Sequence, residues 1–171
     1  MYDINQLIKK EKELKEFYKS HFVKFFKGFS YKELNNKQIK AINIDSYDSI
    51  SSLRYGSGFY LILTDYMSDK NACTFKINGL KAIYRGHGIR IRKRVESHLF
   101  NSLYNKNQDN TDYTVCMKLN DDNGINITED PYSKSKWVIV QHAMTNSSKI
   151  MREQTEQAFD EIYEMPVGSN A

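Results

Sequence analysis

Gly58-Phe59-Tyr60-Leu61-Ile62-Leu63-Thr64 and Leu80-Lys81-Ala82-Ile83-Tyr84-Arg85 are the stretches that decide the fold. The first is a compact apolar run of strand length that follows Ser- and Gly-rich sequence, and it reads as a buried strand. The second returns as a strand after a polar excursion over 65–79. Consecutive strands joined through such a loop pair antiparallel. Gly86-His87-Gly88 breaks the second strand, and a helix begins near Ile89. Along it Ile91, Val95 and Leu99 form one stripe at i, i+4, i+8, and Arg90, Arg94 and His98 form the neighbouring stripe. Arg94 and His98 therefore flank the buried face one turn apart, directly after the strands that carry Tyr60 and Tyr84.

Outward from this centre, residues 5–29 read as a helix. Leu7, Ile8, Leu14, Phe17, Tyr18, Phe22, Phe25, Phe26 and Phe29 recur at roughly helical spacing, with lysines between them. A second short helix is expected over 31–42 and a loop over 43–57. Residues 101–135 are a polar insertion, with a short strand at Thr114–Met117 and a turn at Asp121-Asp122-Asn123-Gly124. A further strand is centred on Trp137-Val138-Ile139-Val140. Ser147 or Asn146 caps a last helix that runs to about Glu164, ended by Pro166 and Gly168. The expected fold is α+β: one domain over 1–171 with a small, mostly antiparallel sheet flanked by helices. It comprises a basic helical extension (1–50), a motif core (58–99), the insertion, and a last strand and helix (136–166).

A chain of 171 residues buries a core without disulfide staples. The net charge of +4 fits a polyanionic partner without demanding one. Charge placement is more telling. Residues 1–40 carry ten lysines against five acids, and residues 81–94 carry Lys81, Arg85, Arg90, Arg92, Lys93 and Arg94 with no acid. Such a concentration suits a phosphate backbone. Cys73 and Cys116 are the only cysteines and form no Cys-x-x-Cys pair, which argues against zinc and for a reducing, cytoplasmic setting. No membrane span is expected. The absence of a Gly-x-x-x-x-Gly-Lys or dinucleotide loop argues against nucleotide-dependent metabolic chemistry.

Phosphodiester hydrolysis needs a group to orient or deprotonate water and charge to offset that growing on the phosphate. It also needs stabilisation of the departing oxygen. Arginine suits the phosphate because its planar donors stay charged and bind two oxygens. Taken singly, Arg94 also reads as a solvated charge, His98 as structural, and Tyr60 and Tyr84 as packing. A phenol is a poor base unless neighbouring positive charge lowers its pKa. The 81–94 cluster supplies that charge if it converges in space.

Gly58-Phe59-Tyr60, Tyr84-Arg85-Gly86, Arg94 eight residues past Gly86, and His98 four further on together resemble the GIY-YIG nuclease family over residues 58–99. Phe59 stands where the family has Ile, and Arg85 is an unusual middle residue of the second triplet. The resemblance implies a metal-dependent DNA endonuclease in which Tyr60, Tyr84, Arg94 and His98 are catalytic. It also implies a glutamate on the last helix holding Mg2+ or Mn2+. Among Glu153, Glu156 and Glu161, Glu156 is chosen, with Phe159 at +3 and Tyr163 at +7, and Glu153 is the reserve. The family asparagine maps loosely to Asn170. His87 reads either as a functional histidine or as a turn residue. Lys81, Arg85, His87, Arg90, Arg92 and Lys93 are the expected DNA contacts. The partner is double-stranded DNA, and the leading subtype is a type II restriction enzyme acting as a homodimer on a palindrome. The alternatives are a repair or mobile-element nuclease, or a DNA-binding module that does not cut.

Overall fold

The structure is a computed structural model and describes residues 3–32, 34–106, 117, 119 and 124–169. In chain order the elements are α1 (Ile4–Gly28), β1 (Ile39–Asn43), β2 (Gly58–Thr64), β3 (Lys76–Ile77), β4 (Leu80–Gly88), α2 (Ile91–Leu99), α3 (Asn101–Lys106), β5 (Trp137–Ala143) and α4 (Lys149–Tyr163). The strands form one five-stranded sheet in the order β1-β5-β2-β4-β3, with every neighbouring pair antiparallel. The fold is α+β.

β2 is the central strand, and all seven of its residues are buried. Both faces are covered, which is why its sequence is a continuous apolar run rather than an alternating one. On one face Tyr60 and Ile62 pack with Ile91, Val95 and Leu99 of α2 and with Leu53 and Trp137. On the other, Phe59, Leu61 and Leu63 pack with Phe26 of α1 and Phe159 of α4. Truncating one such side chain to alanine costs about 2–5 kcal/mol.

α4 is capped by Ser148 rather than by Ser147 or Asn146 as expected: the Ser148 side chain accepts from the Met151 N–H, while the Ser147 hydroxyl donates to the Met144 carbonyl. It packs beside α1 through Phe26 and Phe159, whose rings lie 5.6 Å apart. The Tyr163 hydroxyl donates to the Phe26 carbonyl at 2.9 Å. Only Phe26 of α1 is fully buried, and Ile4, Leu7, Ile8, Leu14 and Phe17 remain exposed. The apolar spacing that predicts this helix thus marks a core face only towards its C-terminal end.

Three further expectations are corrected. No helix spans 31–42: the Asn36 side chain accepts from the Gln38 and Ile39 N–H groups, and Asn35, at φ +83°, accepts from Ala41. These local bonds compete with helix formation, and β1 gains a ladder with β5 instead. The 43–57 loop contains a 3-10 turn at Tyr47–Ser52. Gly86-His87-Gly88 does not break the second strand, because pairing of Phe59 with His87 and Gly58 with Gly88 carries β4 on to Gly88. The strand expected at Thr114–Met117 and the turn at 121–124 fall largely outside the described residues, as do Cys116 and Asn170. No described helix is long and apolar enough to cross a membrane.

Candidate active site

Tyr60 lies opposite Gly86 in the β2–β4 ladder, and Tyr84 lies opposite Ile62. The tyrosines are therefore diagonal neighbours on one sheet face, with rings stacked at 5.9 Å and 28°. Gly86 makes room for both. A Cβ there would stand 2.6 Å from Tyr84 Cε1 and 2.9 Å from the Tyr60 hydroxyl. His98 arrives from α2, with its ring centroid 4.2 Å from that of Tyr84 and its Nε2 2.8 Å from the Tyr60 hydroxyl. Tyr60 and His98 are both fully buried.

Arg94, one turn before His98, crosses the end of β4. A Cβ on Gly88 would come within 2.8 Å of its Cδ. The guanidinium lies within electrostatic reach of both phenols. Arginine only donates, so the Tyr60 proton is left to His98 Nε2. Arg94 Nε is buried with no hydrogen-bond partner. The expectation that the basic cluster depresses the Tyr60 pKa is corrected. Burial pushes this phenol well up and Tyr84 adds to the rise, while Arg94 opposes without prevailing. Burial, helped by Arg94, keeps the His98 imidazole neutral.

Arg85 and His87 alternate with Tyr84 and Gly86 along β4, so they point to the α4 side. There Arg85 grips Asp160 through two bonds of 3.1 and 2.7 Å and stands 3.3 Å from Glu156 Oε1. His87 Nε2 lies 3.8 Å from Glu156 Oε2. Burial pushes the Glu156 carboxyl up to about 7; Arg85 and, less strongly, Arg94 pull it down. Burial, with Arg152 and Arg94 nearby, pushes His87 down to about 4. Of the three candidate glutamates, Glu156 meets β4. Glu153 pairs with Lys149 at 3.5 Å and Glu161 with Lys19 at 2.8 Å. Arg94 thus stands between two groups of residues, within electrostatic reach of the phenols on one side and of Glu156 and His87 on the other.

The donor set can be weighed for Mg2+. This cation keeps several waters and is held by one or two carboxylates plus substrate phosphate. Glu156 fits such a site through Oε2, which faces the neutral His87 ring at 3.8 Å while Oε1 faces Arg85 at 3.3 Å. Among the described residues no group of three or more His, Cys, Asp or Glu gathers into a closed metal cage.

The expected DNA contacts divide. Lys81 donates to the Asn71 carbonyl at 2.6 Å, near the opposite end of β4 from Gly88. Arg85 is buried between Asp160 and Glu156. Arg92 donates to Leu53 and Ser51 carbonyls at 2.7 and 2.5 Å and lies over the Tyr55 ring. These three charges are engaged within the protein, because strand alternation and helix rotation send neighbours in sequence to different sides. His87, Arg90, Lys93 and Arg94 instead share a pocket of about 500 Å³ with Gly88, Ile89, Lys149 and Arg152. The two α4 cations escape a reading of 81–94 alone. The signal that finds Arg152 is its place four residues before Glu156, on the same helical face.

No protein-family model matches this chain, and neither does any curated protein or solved structure.

Proposed function

We propose that the protein is a metal-dependent endonuclease that hydrolyses DNA phosphodiester bonds from a GIY-YIG-like core, and that it acts as a sequence-specific restriction enzyme. One observation carries the reading. Tyr60, Tyr84 and His98 meet in one buried cluster one turn from Arg94, and Arg94 shares a pocket with His87, whose ring faces Glu156, so residues from four separate segments converge. A phosphate at Arg94 meets donors already desolvated and aimed, which is where electrostatic stabilisation is strongest. Its arrival draws the guanidinium towards the nonbridging oxygens and uncovers the Tyr60 hydroxyl for the attacking water. Tyr60 orients that water and takes its proton on the phenol oxygen as the phenol's own proton passes to neutral His98 Nε2 in the same step. Tyr84 holds Arg94 and His98 in line. Glu156 would hold Mg2+ or Mn2+, which when bound offsets charge on the phosphate and the leaving oxygen. Arg90 and Lys93 contact the backbone beside the cut. A two-fold dimer places one such site on each strand of a palindrome.

A second reading, DNA binding without cleavage, draws support from the Arg85 contact with Glu156, which competes with a cation for that carboxylate. Incubating the purified protein with plasmid or phage DNA and Mg2+, then sequencing the fragment ends, separates the two. Discrete ends at one recurrent sequence support restriction, and ends at nicks or branches point to a repair or mobile-element nuclease. Intact DNA despite salt-dependent binding supports the module that does not cut.

A further inference from the structure

The pocket beyond Glu156 has chemistry of its own. Arg90, Lys93 and Arg94 line it from the α2 side, and Lys149 and Arg152 from the first turns of α4. Among the described residues no carboxylate lines it; Glu153 pairs with Lys149 at 3.5 Å, and Glu156 lies behind His87 at 3.8 Å. Arg152 is only 5% exposed. One of its terminal nitrogens donates to the Ser147 carbonyl and hydroxyl, yet its Nε is buried without a hydrogen-bond partner. Arg152 forms no ion pair among the described residues. A buried guanidinium with neither a counter-ion nor full hydrogen bonding is costly. The α4 N-terminus adds positive potential to the same wall. An anion entering the pocket offsets all of these terms at once.

We propose that this pocket is a second phosphate seat, adjoining the scissile one at Arg94, with Arg152 as its anchor and Lys93, Lys149 and Arg90 as its rim. The ligand is a phosphate group, and its source is the DNA strand being cut. Arg152 and Glu156 are one turn apart on α4, about 5–6 Å between Cβ atoms. That is the scale on which successive phosphates repeat along one strand. Seating a neighbouring phosphate on Arg152 fixes the direction in which the strand crosses Glu156 and Arg94. Arg152 is in this sense a positioning residue. The assignment of the strand to the seat rests on the nuclease reading above, whereas phosphate binding itself does not.

The test is NMR of the arginine Nε–H resonances of the full chain in EDTA, titrated with inorganic phosphate and, separately, with a short duplex. The Arg152 resonance is expected to shift with both ligands. Arg152→Met is expected to weaken binding of both about tenfold and to reduce the salt slope for DNA by about 0.9, the release expected for one phosphate. Because Arg152 also ties down Ser147, the exposed pair Lys93→Ala/Lys149→Ala is measured alongside and is expected to weaken binding at least fivefold. A response to the duplex alone assigns the seat to backbone phosphate and supports the proposal. Absence of any Arg152 shift with either ligand, or unchanged affinity in both variants, overturns it. Binding that persists in a protein unable to cut DNA with Mg2+ defeats the nuclease reading and leaves the seat standing.

Discussion

The Tyr60 hydroxyl and His98 Nε2 face each other across 2.8 Å in a space closed to solvent. Both partners are polar, both are buried, and His98 Nδ1 already lacks a partner. Tyr60→Phe removes the hydroxyl and leaves Nε2 unpaired too. We expect a loss of about 1–3 kcal/mol in stability and a fall in cleavage of about 10²- to 10⁴-fold. Chemical denaturation and a plasmid-nicking assay measure the two. A variant that cuts at the wild-type rate would remove Tyr60 from the chemistry and leave it a packing residue.

Arg94 is a largely desolvated charge beside the phenols and belongs to no ion pair among the described residues. Arg94→Ala should therefore abolish cleavage while leaving DNA binding and the melting temperature largely intact. Arg94→Lys should fail to restore cutting, because an ammonium lacks the planar fork that binds two oxygens. Restored activity in the lysine variant would show that charge alone suffices at this position.

Two glycines of β4 separate structural from functional damage. Gly86→Ala drives a methyl group against Tyr84 and the Tyr60 hydroxyl, and should cost about 1–3 kcal/mol as well as activity. Gly88→Ala meets the flexible stem of Arg94 instead. It should displace the guanidinium and lower cleavage with little change in unfolding midpoint. Equal destabilisation by both would mean that Arg94 cannot swing aside.

Glu156 gives a pH signature whose sign follows from burial. Its folded pKa, about 7, lies above that of the unfolded chain. The contribution is therefore fully present below the unfolded carboxyl pKa of about 4.3 and is lost as pH rises through 7. Glu156→Gln should melt higher than wild type at pH 8, with the difference closing towards pH 5, and Mg2+ should stabilise wild type but not the variant. Cleavage should rise through pH 7 in wild type and be absent in Glu156→Gln and Glu156→Ala. Metal-dependent cutting retained in Glu156→Ala would move the ligand to Glu153.

Much of the frame was legible because it obeys simple periods. The apolar run at 58–64 and the stripes at Ile91-Val95-Leu99 and Arg90-Arg94-His98 each carry their signal locally, whereas the cap of α4 was expected at Ser147 or Asn146 and falls at Ser148. What stayed hidden depends on partners distant in sequence. β1 lies within polar sequence and exists because β5 offers it a ladder. Gly86 and Gly88 look like a strand breaker, yet they are the places where side chains from β2 and α2 cross β4. Arg85 looks like a surface charge beside the site, but Asp160, 75 residues away, holds it inside. The Tyr60 environment escaped for the same reason: charge near a phenol is visible in sequence, whereas depth of burial is not.

β2 hydrogen-bonds to a neighbour on both sides and is sealed by side chains above and below. Its amide protons should therefore exchange with solvent water more slowly than those of the outlying α1 and β3 segments, at a rate set by global rather than local opening. Tyr60 rides on that strand. Mild denaturant should loosen the free end of α1 and the long connections while the phenol pair stays in register, so that its geometry is lost only when the whole domain opens.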